Sequence, residues 1–430
     1  YHRSVTDLRP TRPRIRILTL GCKVNQCDSE ELARALAAQG YEVAGRGRAA
    51  DLYVVNTCTV TGVADAKARK LIRKLAREHP GARIVVTGCL VQRAPENAPD
   101  LPQVVAVVPN AEKPRLPEVI AALLPAAPVA AADLLPSRTR AFVKLQDGCD
   151  HRCAYCAVPD ARGPMWSKPF DEALAEVSRL AAAGVPEVVL CGIRLGAYGR
   201  GGPSGAQPCA PTCGLAAFVH ELRRLPIPRL RLSSIEPMDI DEALLAEIAD
   251  HPTLCRHLHL PLQSGDDEVL RAMRRSYRAA DFARLMGRVR EGWPEAAISA
   301  DVVVGFPGET EQQFRHTLDF LRAQRFSRVH VFPFSPRPGT PAAEMEPVPA
   351  PVRHARTEAA LALAATLAQE AAAAWVGRPV RVLFEQRGRD GVLTGLTEHY
   401  VRVHTAGPAE WVGRIVEVTP RRAEGGELHG

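Results

Sequence analysis

Lysine is scarce in this 430-residue chain, and none follows Lys168; every later permanent side-chain cation is arginine. A coding bias towards GC-rich codons accounts for this, so it carries no functional weight. Long apolar runs are missing too. The most apolar stretch, Leu116 to Leu135, is broken by Glu118, Pro125, Pro128 and Asp133, which excludes a bilayer span there. No apolar leader segment accompanies the early arginines Arg3, Arg9, Arg12, Arg14 and Arg16, so no secretory signal is predicted and a cytoplasmic setting without a membrane partner is expected. Neither sign of charge dominates. Lys plus Arg is 55 and Asp plus Glu is 48, a net +7 that permits a polyanionic partner without demanding one. With 46% apolar and 24% charged residues, the chain is neither disordered nor membrane-embedded. Its length suits about two to four domains. The eleven cysteines, in a reducing compartment, point to ligands or bystanders rather than disulfides.

Three strand signals open the chain, and each runs into a cysteine. Arg14–Gly21 precedes Cys22, Asp51–Thr57 precedes Cys58, and Arg83–Gly88 precedes Cys89. Helical patterns, Asp28–Gln39 and Ala64–Glu78, lie between them. The cysteines recur at roughly the 30-residue length of a βαβ unit, which predicts a parallel sheet with all three thiols at its carboxyl edge, where open α/β sheets bind ligands. The Pro- and Ala-rich segment 124–138 reads as a linker. From Phe142 onward six strand signals, 142–147, 187–192, 229–235, 257–262, 298–305 and 328–334, alternate with helical patterns such as Asp171–Ala183, Asp241–Ala249 and Asp281–Glu291. Thr310-Glu-Gln-Gln313 has the form of a capping box. This alternation predicts an incomplete (β/α)6 barrel with its chemistry at the carboxyl ends of the strands. An Ala-rich helix, Pro351–Trp375, leads to a tail whose period changes. Val380–Phe384, His399–His404 and Val412–Val418 read there as short strands of a small antiparallel barrel. The expected fold class is therefore α/β, with an N-terminal parallel-sheet α/β domain at 1–123, the barrel at 139–376 and the small C-terminal β-barrel at 377–430.

The strongest chemical signal is Cys149-Asp-His-Arg-Cys153-Ala-Tyr-Cys156, three thiolates in a loop just after a strand. A structural zinc ion would want a fourth protein ligand, and His151 is hemmed between two of the three cysteines. Three thiolates suit a [4Fe–4S] cluster with one iron left open for a small molecule. Cys22, Cys58 and Cys89 form a second set of three. A small buried hydrophobe at a strand end explains one such cysteine better than three at one sheet edge.

The 149–156 loop resembles that of radical S-adenosylmethionine enzymes. The chain as a whole resembles the methylthiotransferases of that class, with N-terminal, radical and C-terminal TRAM domains in order. The resemblance is carried by Leu20-Gly-Cys-Lys-Val-Asn-Gln26, Val55-Asn-Thr-Cys-Thr-Val60, Thr87-Gly-Cys89, the 149–156 loop, Arg231–Pro237, His259–Gly265, Asp301–Glu309 and Phe334–Thr340. It implies two [4Fe–4S] clusters, on Cys22, Cys58 and Cys89 and on Cys149, Cys153 and Cys156. It also implies S-adenosylmethionine as cofactor, an electron donor, a sulfur source, and a methylthio group delivered by a radical route. Tyr155 matches the family's aromatic beside the adenine, and Gly192 the place where backbone meets the methionine amino group. Ser234, Glu236 and Gln263 end barrel strands and are expected to face the cluster. Arg275 has two readings, a carboxylate partner or solvation on a helix surface. Glu309 reads as a turn or helix cap.

Family members act on adenosine 37 in the anticodon loop of tRNA, bearing either an isopentenyl or a threonylcarbamoyl group, or on an aspartate of a ribosomal protein. Gly21–Gln26 together with Gly192–Gly199 looks most like the threonylcarbamoyladenosine branch. A non-catalytic iron–sulfur RNA-binding protein is the alternative from another class. An electron carrier would normally give every iron a protein ligand, and the two three-cysteine sets count against it. Arg378, Arg381, Arg387, Arg389, Arg402 and Arg414 in the tail are candidate phosphate contacts, against a solvated Arg-rich surface as the plain reading. Residues 199–214 look like an insertion carrying Cys209 and Cys213, taken as loop thiols. Cys27, Cys191 and Cys255 are left outside the clusters.

Overall fold

The computed structural model describes residues 12–45, 48–126, 139–200 and 214–430. Two compact units result: one holds the chain up to Leu135 together with Asp160–Gly163, the other holds the rest. Cys209 and Cys213, and most of the linker, lie outside the described residues.

In the first unit β1 (Arg14–Thr19), β2 (Glu42–Val43), β3 (Leu52–Thr57), β4 (Arg83–Gly88) and β5 (Val104–Pro109) form a parallel sheet in the order β2-β1-β3-β4-β5. Every residue of β3 is buried, because helices cover both faces. Leu52 and Val54 pack with Leu32, Leu36 and Ile120, while Tyr53 and Val55 pack with Ile72 and Leu75. Strands β2 and β5 were not anticipated. The first helix runs Lys23–Ala38 rather than from Asp28, with Cys22 at its N-cap. Its opening turn lacks apolar periodicity because Asn25 bonds across the sheet edge instead of packing.

The second unit begins with β6 (Arg140–Lys144), the paired β7 (Gln146–Asp147) and β8 (Trp166–Ser167), then β9 (Glu187–Cys191), β10 (Leu230–Leu232), β11 (His257–His259), β12 (Ala297–Val304) and β13 (Arg328–Pro333). Parallel sheets β6-β9-β10 and β11-β12-β13 are joined by the bridges Leu230↔Leu254 and Ser234↔His259, giving the expected open six-stranded barrel. Strand residues alternate. Val143, Leu190, Leu232, Leu258, Ala300 and Val302 pack in the core with the helices, which turns Lys144, Arg231, His259, Ser299, Asp301 and His330 to the inner face. Strands β10 and β11 end earlier than their sequences suggest: Ser233–Pro237 and Leu260–Gln263 form the rim and leave the regular ladder, keeping only isolated bridges, Ser234 with His259 and Gln263 with Val302. The capping box is present: Gln313 N donates to Thr310 Oγ1 at 3.3 Å and Thr310 N to Gln313 Oε1 at 2.9 Å.

Helix Ala350–Ala373 leads into a six-stranded sheet. It consists of β14 (Val380–Arg387), β15 (Val392–Thr397), β16 (Arg402–Ala406), β17 (Ile415–Val418), β18 (Arg422–Glu424) and β19 (Glu427–His429), in the order β17-β14-β15-β16-β19-β18. All its pairings are antiparallel except β16 with β19, where the sequence suggested three strands and uniform antiparallel pairing. A charged cluster ties this sheet to the barrel. Glu187, fully buried, receives Arg231 Nε at 2.8 Å and lies 3.5 Å from Arg229 Nη1. The two arginines reach on to the carbonyls of Thr397 at 3.1 Å, Glu398 at 3.2 Å, Leu396 at 3.0 Å and Arg381 at 2.9 Å. Among the described residues, no helix is long and apolar enough to cross a membrane.

Candidate cluster and cofactor sites

The carboxyl edge of the first sheet gathers Cys22, Cys58 and Cys89, each just past the end of β1, β3 or β4. Gly21, at φ +93°, lets the chain turn there: a Cβ on it would sit 2.6 Å from Cys58 Cβ and 2.7 Å from its sulfur. Gly88, at φ +105°, is equally tight, with Thr57 O 2.4 Å from where its Cβ would be. Glycine alone meets both the left-handed φ and the close approach. Asn25 laces the edge together, donating to Leu20 O and Thr57 O at 2.8 Å each, and Asn56 donates to Asn25 O at 2.9 Å.

Burial, with neighbouring Cys22 and Cys89 adding to it, pushes the Cys58 thiol up to about 11. Cys22 is likewise raised, by burial first and by Cys89 and Asp28, with Arg162 opposing. Arg162 reaches Asp28 at 2.9 Å and also Asn25, while Lys113 reaches the same Asp28 oxygen at 2.6 Å. Asn110 Nδ2 lies 3.2 Å from Cys89 Sγ. None of Arg162, Lys113, Asn110 or Asp28 was singled out from the sequence. The charged run around Asp28 gave no hint, because their meeting depends on segments far apart in the chain.

The second triad sits in the loop after β7. Cys153 is buried, and Cys149 and Cys156 are half-buried. Burial, with the neighbouring thiols adding to it, pushes Cys149 up to about 11 and Cys156 up to about 12. The loop is pinned by Ala154 N to Met273 O at 3.0 Å and by Ala342 N to Ala154 O at 2.9 Å. Arg275 stands over it. Its Nη1 donates to Cys153 Sγ at 3.3 Å, its Nη2 pairs with Glu236, and its Nε reaches Tyr277 Oη at 3.3 Å. Of its two readings, the carboxylate partner holds, and the helix-surface reading is corrected: the side chain is buried. Tyr155 packs with Ala154, Met273, Phe306 and Phe334.

Gly192 leaves no room for a side chain, since a Cβ on it would meet Leu195 Cα at 2.8 Å and Gln146 Cβ at 3.2 Å. Ser234 bridges to β11, and Gln263 is buried in the left-handed region at φ +67°, its N–H on Asp301 O at 2.7 Å. A non-glycine residue held there marks a constrained site. Gln146, which sequence reasoning passed over, accepts Arg194 N at 2.7 Å and donates to Asp147 O and Gly148 O at 2.8 Å. Arg194 in turn grips Asp239 through two bonds, at 2.8 and 2.7 Å. Glu309 accepts Gly305 N at 2.8 Å and Arg356 at 2.9 Å, so it joins a rim loop to the long helix.

The six tail arginines are exposed, but two have acidic partners: Arg378 with Glu295 at 2.5 Å and Arg402 with Glu427 at 3.3 Å. Cys27, Cys191 and Cys255 are buried, each at 1% exposure or less.

The donor sets fit clusters better than single ions. A lone tetrahedral zinc at about 2.3 Å from each sulfur needs thiolates only about 3.8 Å apart. Among the described residues, the sole set of three ligand atoms within 4.8 Å of one another is His259, Asp301 and His330, and neither cysteine triad is that tight. Three thiolates spread wider than that suit an iron–sulfur cube that keeps one corner open.

Residues 14–109 match the family described as Uncharacterized protein family UPF0004, and residues 143–321 match the Radical SAM superfamily. The chain is 37% identical over 402 residues to a threonylcarbamoyladenosine tRNA methylthiotransferase of Thermotoga maritima, covering 90% of each. It is 34% identical to the protein of the same name from Bacillus subtilis, covering 93% of this chain and 92% of that one. It is also 36% identical to a tRNA-2-methylthio-N(6)-dimethylallyladenosine synthase of Maricaulis maris, covering 98% and 97%. Among solved structures, a radical S-adenosylmethionine methyltransferase from Kitasatospora setae superposes with a TM-score of 0.54 over 77% of both chains at 18% identity, a likeness of fold.

Proposed function

Because the chain belongs to the radical S-adenosylmethionine methylthiotransferase family, we propose that it modifies tRNA, placing a methylthio group on C2 of N6-threonylcarbamoyladenosine 37 in the anticodon loop. The observation that carries the reading is 37% identity over 90% of the chain to a tRNA methylthiotransferase together with two cysteine triads, one past the strand ends of the first sheet and one in the loop after β7. Members of this family carry two [4Fe–4S] clusters and use S-adenosylmethionine. When bound, these groups supply sulfur, a methyl group and one-electron chemistry. An aromatic C–H has no usable acidity, so acid–base catalysis alone would not open that position.

The chain's own residues hold and orient. Cys22, Cys58 and Cys89 hold one cluster, and Cys149, Cys153 and Cys156 the other. The raised thiol pKa values of Cys22, Cys58, Cys149 and Cys156 mean that these four bind as thiolate only when metal charge compensates. Arg275 fixes the Glu236 carboxylate and the Cys153 sulfur at once. Gly192 would let backbone approach the methionine end of the cofactor, Tyr155 would pack beside its adenine, and Ser234 and Gln263 shape the rim. Exposed Arg381, Arg387, Arg389 and Arg414 are the better phosphate contacts, since Arg378 and Arg402 already have carboxylate partners. A target base must be splayed out of its stack to expose C2. An electron donor and a sulfur source complete the partners.

The branch assignment rests on the Gly21–Gln26 and Gly192–Gly199 blocks and on the names of the Thermotoga and Bacillus relatives. The dimethylallyladenosine enzymes are nearly as similar. Nucleoside mass spectrometry of tRNA from a deletion strain tests it. Loss of the methylthio form of threonylcarbamoyladenosine supports the reading. Loss of the methylthio isopentenyl nucleoside moves the enzyme to the other tRNA branch. Unchanged tRNA with a lighter ribosomal protein refutes a tRNA substrate.

A further inference from the structure

The inner face of the barrel carries a group that neither cluster uses. Strands β11, β12 and β13 lie side by side and parallel, with His259 opposite Ser299 and Asp301 opposite His330. Each strand therefore contributes one side chain to a single patch of the inner face: His259, Asp301 and His330. One ligand atom from each lies within 4.8 Å of the others. All three residues are half-buried.

The detail that matters is the orientation of His259. Its Nδ1 is held by Ser299 Oγ at 3.1 Å, which pins the ring. Its Nε2 is buried and lies 3.1 Å from Asp301 Oδ2, yet makes no hydrogen bond. At that distance only poor alignment prevents one. A divalent ion about 2.1 Å from each donor wants them about 3.0–3.4 Å apart, which this pair already satisfies, and a His330 ring nitrogen lies within 4.8 Å of both, the two imidazoles being stacked at 5.6 Å between centroids. Ser299 plays the outer part common at metal-bound imidazoles, fixing the ring through its second nitrogen, and is itself held by His257 Nε2 at 2.9 Å.

We infer that His259, Asp301 and His330 form a mononuclear site for a divalent first-row cation on the barrel's inner face, separate from both cysteine triads. Two imidazoles and one carboxylate, without sulfur, select manganese-, ferrous- or zinc-like ions rather than cluster iron, and they leave positions for water or for an oxygen of a bound molecule. Rigid strands hold all three donors, so the site is formed before the ion arrives.

The test uses Mn2+ and the full chain with both clusters loaded under anaerobic conditions. Manganese disfavours thiolates, so a cluster position left empty does not compete. Uptake is read from the loss of the free-ion electron paramagnetic resonance signal. One saturable Mn2+ per chain is expected. Asp301→Asn and His330→Gln should each weaken binding at least about tenfold, and Ser299→Ala by about 10–100-fold, the range for losing an outer-shell partner. Iron content and circular dichroism of each variant verify that the fold and clusters persist, and any variant that fails this is replaced by the other. No saturable uptake by the parent, or uptake retained in both ligand variants, overturns the site without touching the methylthiotransferase reading.

Discussion

Replacing Glu187 by Gln should loosen the join between barrel and C-terminal sheet. Glu187, its side chain fully buried, faces Arg231, Arg229 and Arg140 at 2.8, 3.5 and 3.9 Å, and Arg140 has a second, nearer carboxylate in Glu385 at 2.8 Å. The amide keeps the shape and removes the charge, leaving the buried guanidinium groups of Arg231 and Arg229 without the carboxylate between them, while Arg140 keeps Glu385. Removing one partner of a buried ion pair costs about 3–5 kcal/mol, because the remaining charge is uncompensated. For a unit of this size that corresponds to a melting temperature about 6–15 °C lower. The same arginines hold the 396–398 carbonyls, so the C-terminal sheet should also detach more readily, seen as faster proteolytic cleavage near Gly377. Burial acts to raise the Glu187 pKa, but Arg231, Arg140 and Arg229 outweigh it and hold the carboxyl below its usual range. Its contribution is therefore complete above the unfolded-state pKa and is lost as pH falls through the folded one. Glu187→Gln should remove that acid-dependent component. Thermal scans of parent and variant at neutral and acid pH check both. A loss under about 1 kcal/mol, the value of an exposed pair, would refute the reasoning.

Gly21→Ala should displace Cys58, given the 2.6 Å approach and the positive φ, and cost the protein about half its iron while the Cys149 triad keeps its own, by iron and sulfide analysis. Arg275→Leu removes the hydrogen bond to Cys153 Sγ and leaves Glu236 without its partner. The reduction potential of the second cluster should fall, as anaerobic redox titration would detect, because sulfur-directed hydrogen bonds favour the reduced state. His399 is buried against Trp375, and burial first, then Arg231 and Arg229, hold its pKa down at about 3. The unfolded chain binds that proton below about 6.5, so stability should rise with pH between those limits by about 1.4 kcal/mol per unit. His399→Gln should flatten that slope in urea titrations. Thr310→Ala breaks the observed capping box and should cost about 0.5–2 kcal/mol by the same measurement.

The cysteines were legible because iron–sulfur ligation demands a residue type at a strand end, and strand ends show in the sequence as apolar runs closing on Gly-Cys or Thr-Cys. The six barrel strands were legible for the same reason, apart from their carboxyl ends, where polar rim residues leave the ladder. Arg275 stayed ambiguous. A basic residue after a short helix looks like any solvated one until the chain folds Glu236 and Cys153 onto it. The tail was underread. Its strands β15, β18 and β19 are short and interrupted by glycine and charge, so alternation alone missed them.

The order of residues by itself determined two sets of three thiols, the parallel sheets that carry them and the family to which they belong, because each depends on spacing along one strand or one loop. Which polar side chains meet was decided only in three dimensions. Arg162 with Asp28, Glu187 with three arginines, and His259 with Asp301 and His330 join segments up to 134 residues apart in the chain, and a contact of that kind has no period. It exists only once hydrophobic burial has stacked the strands in their register.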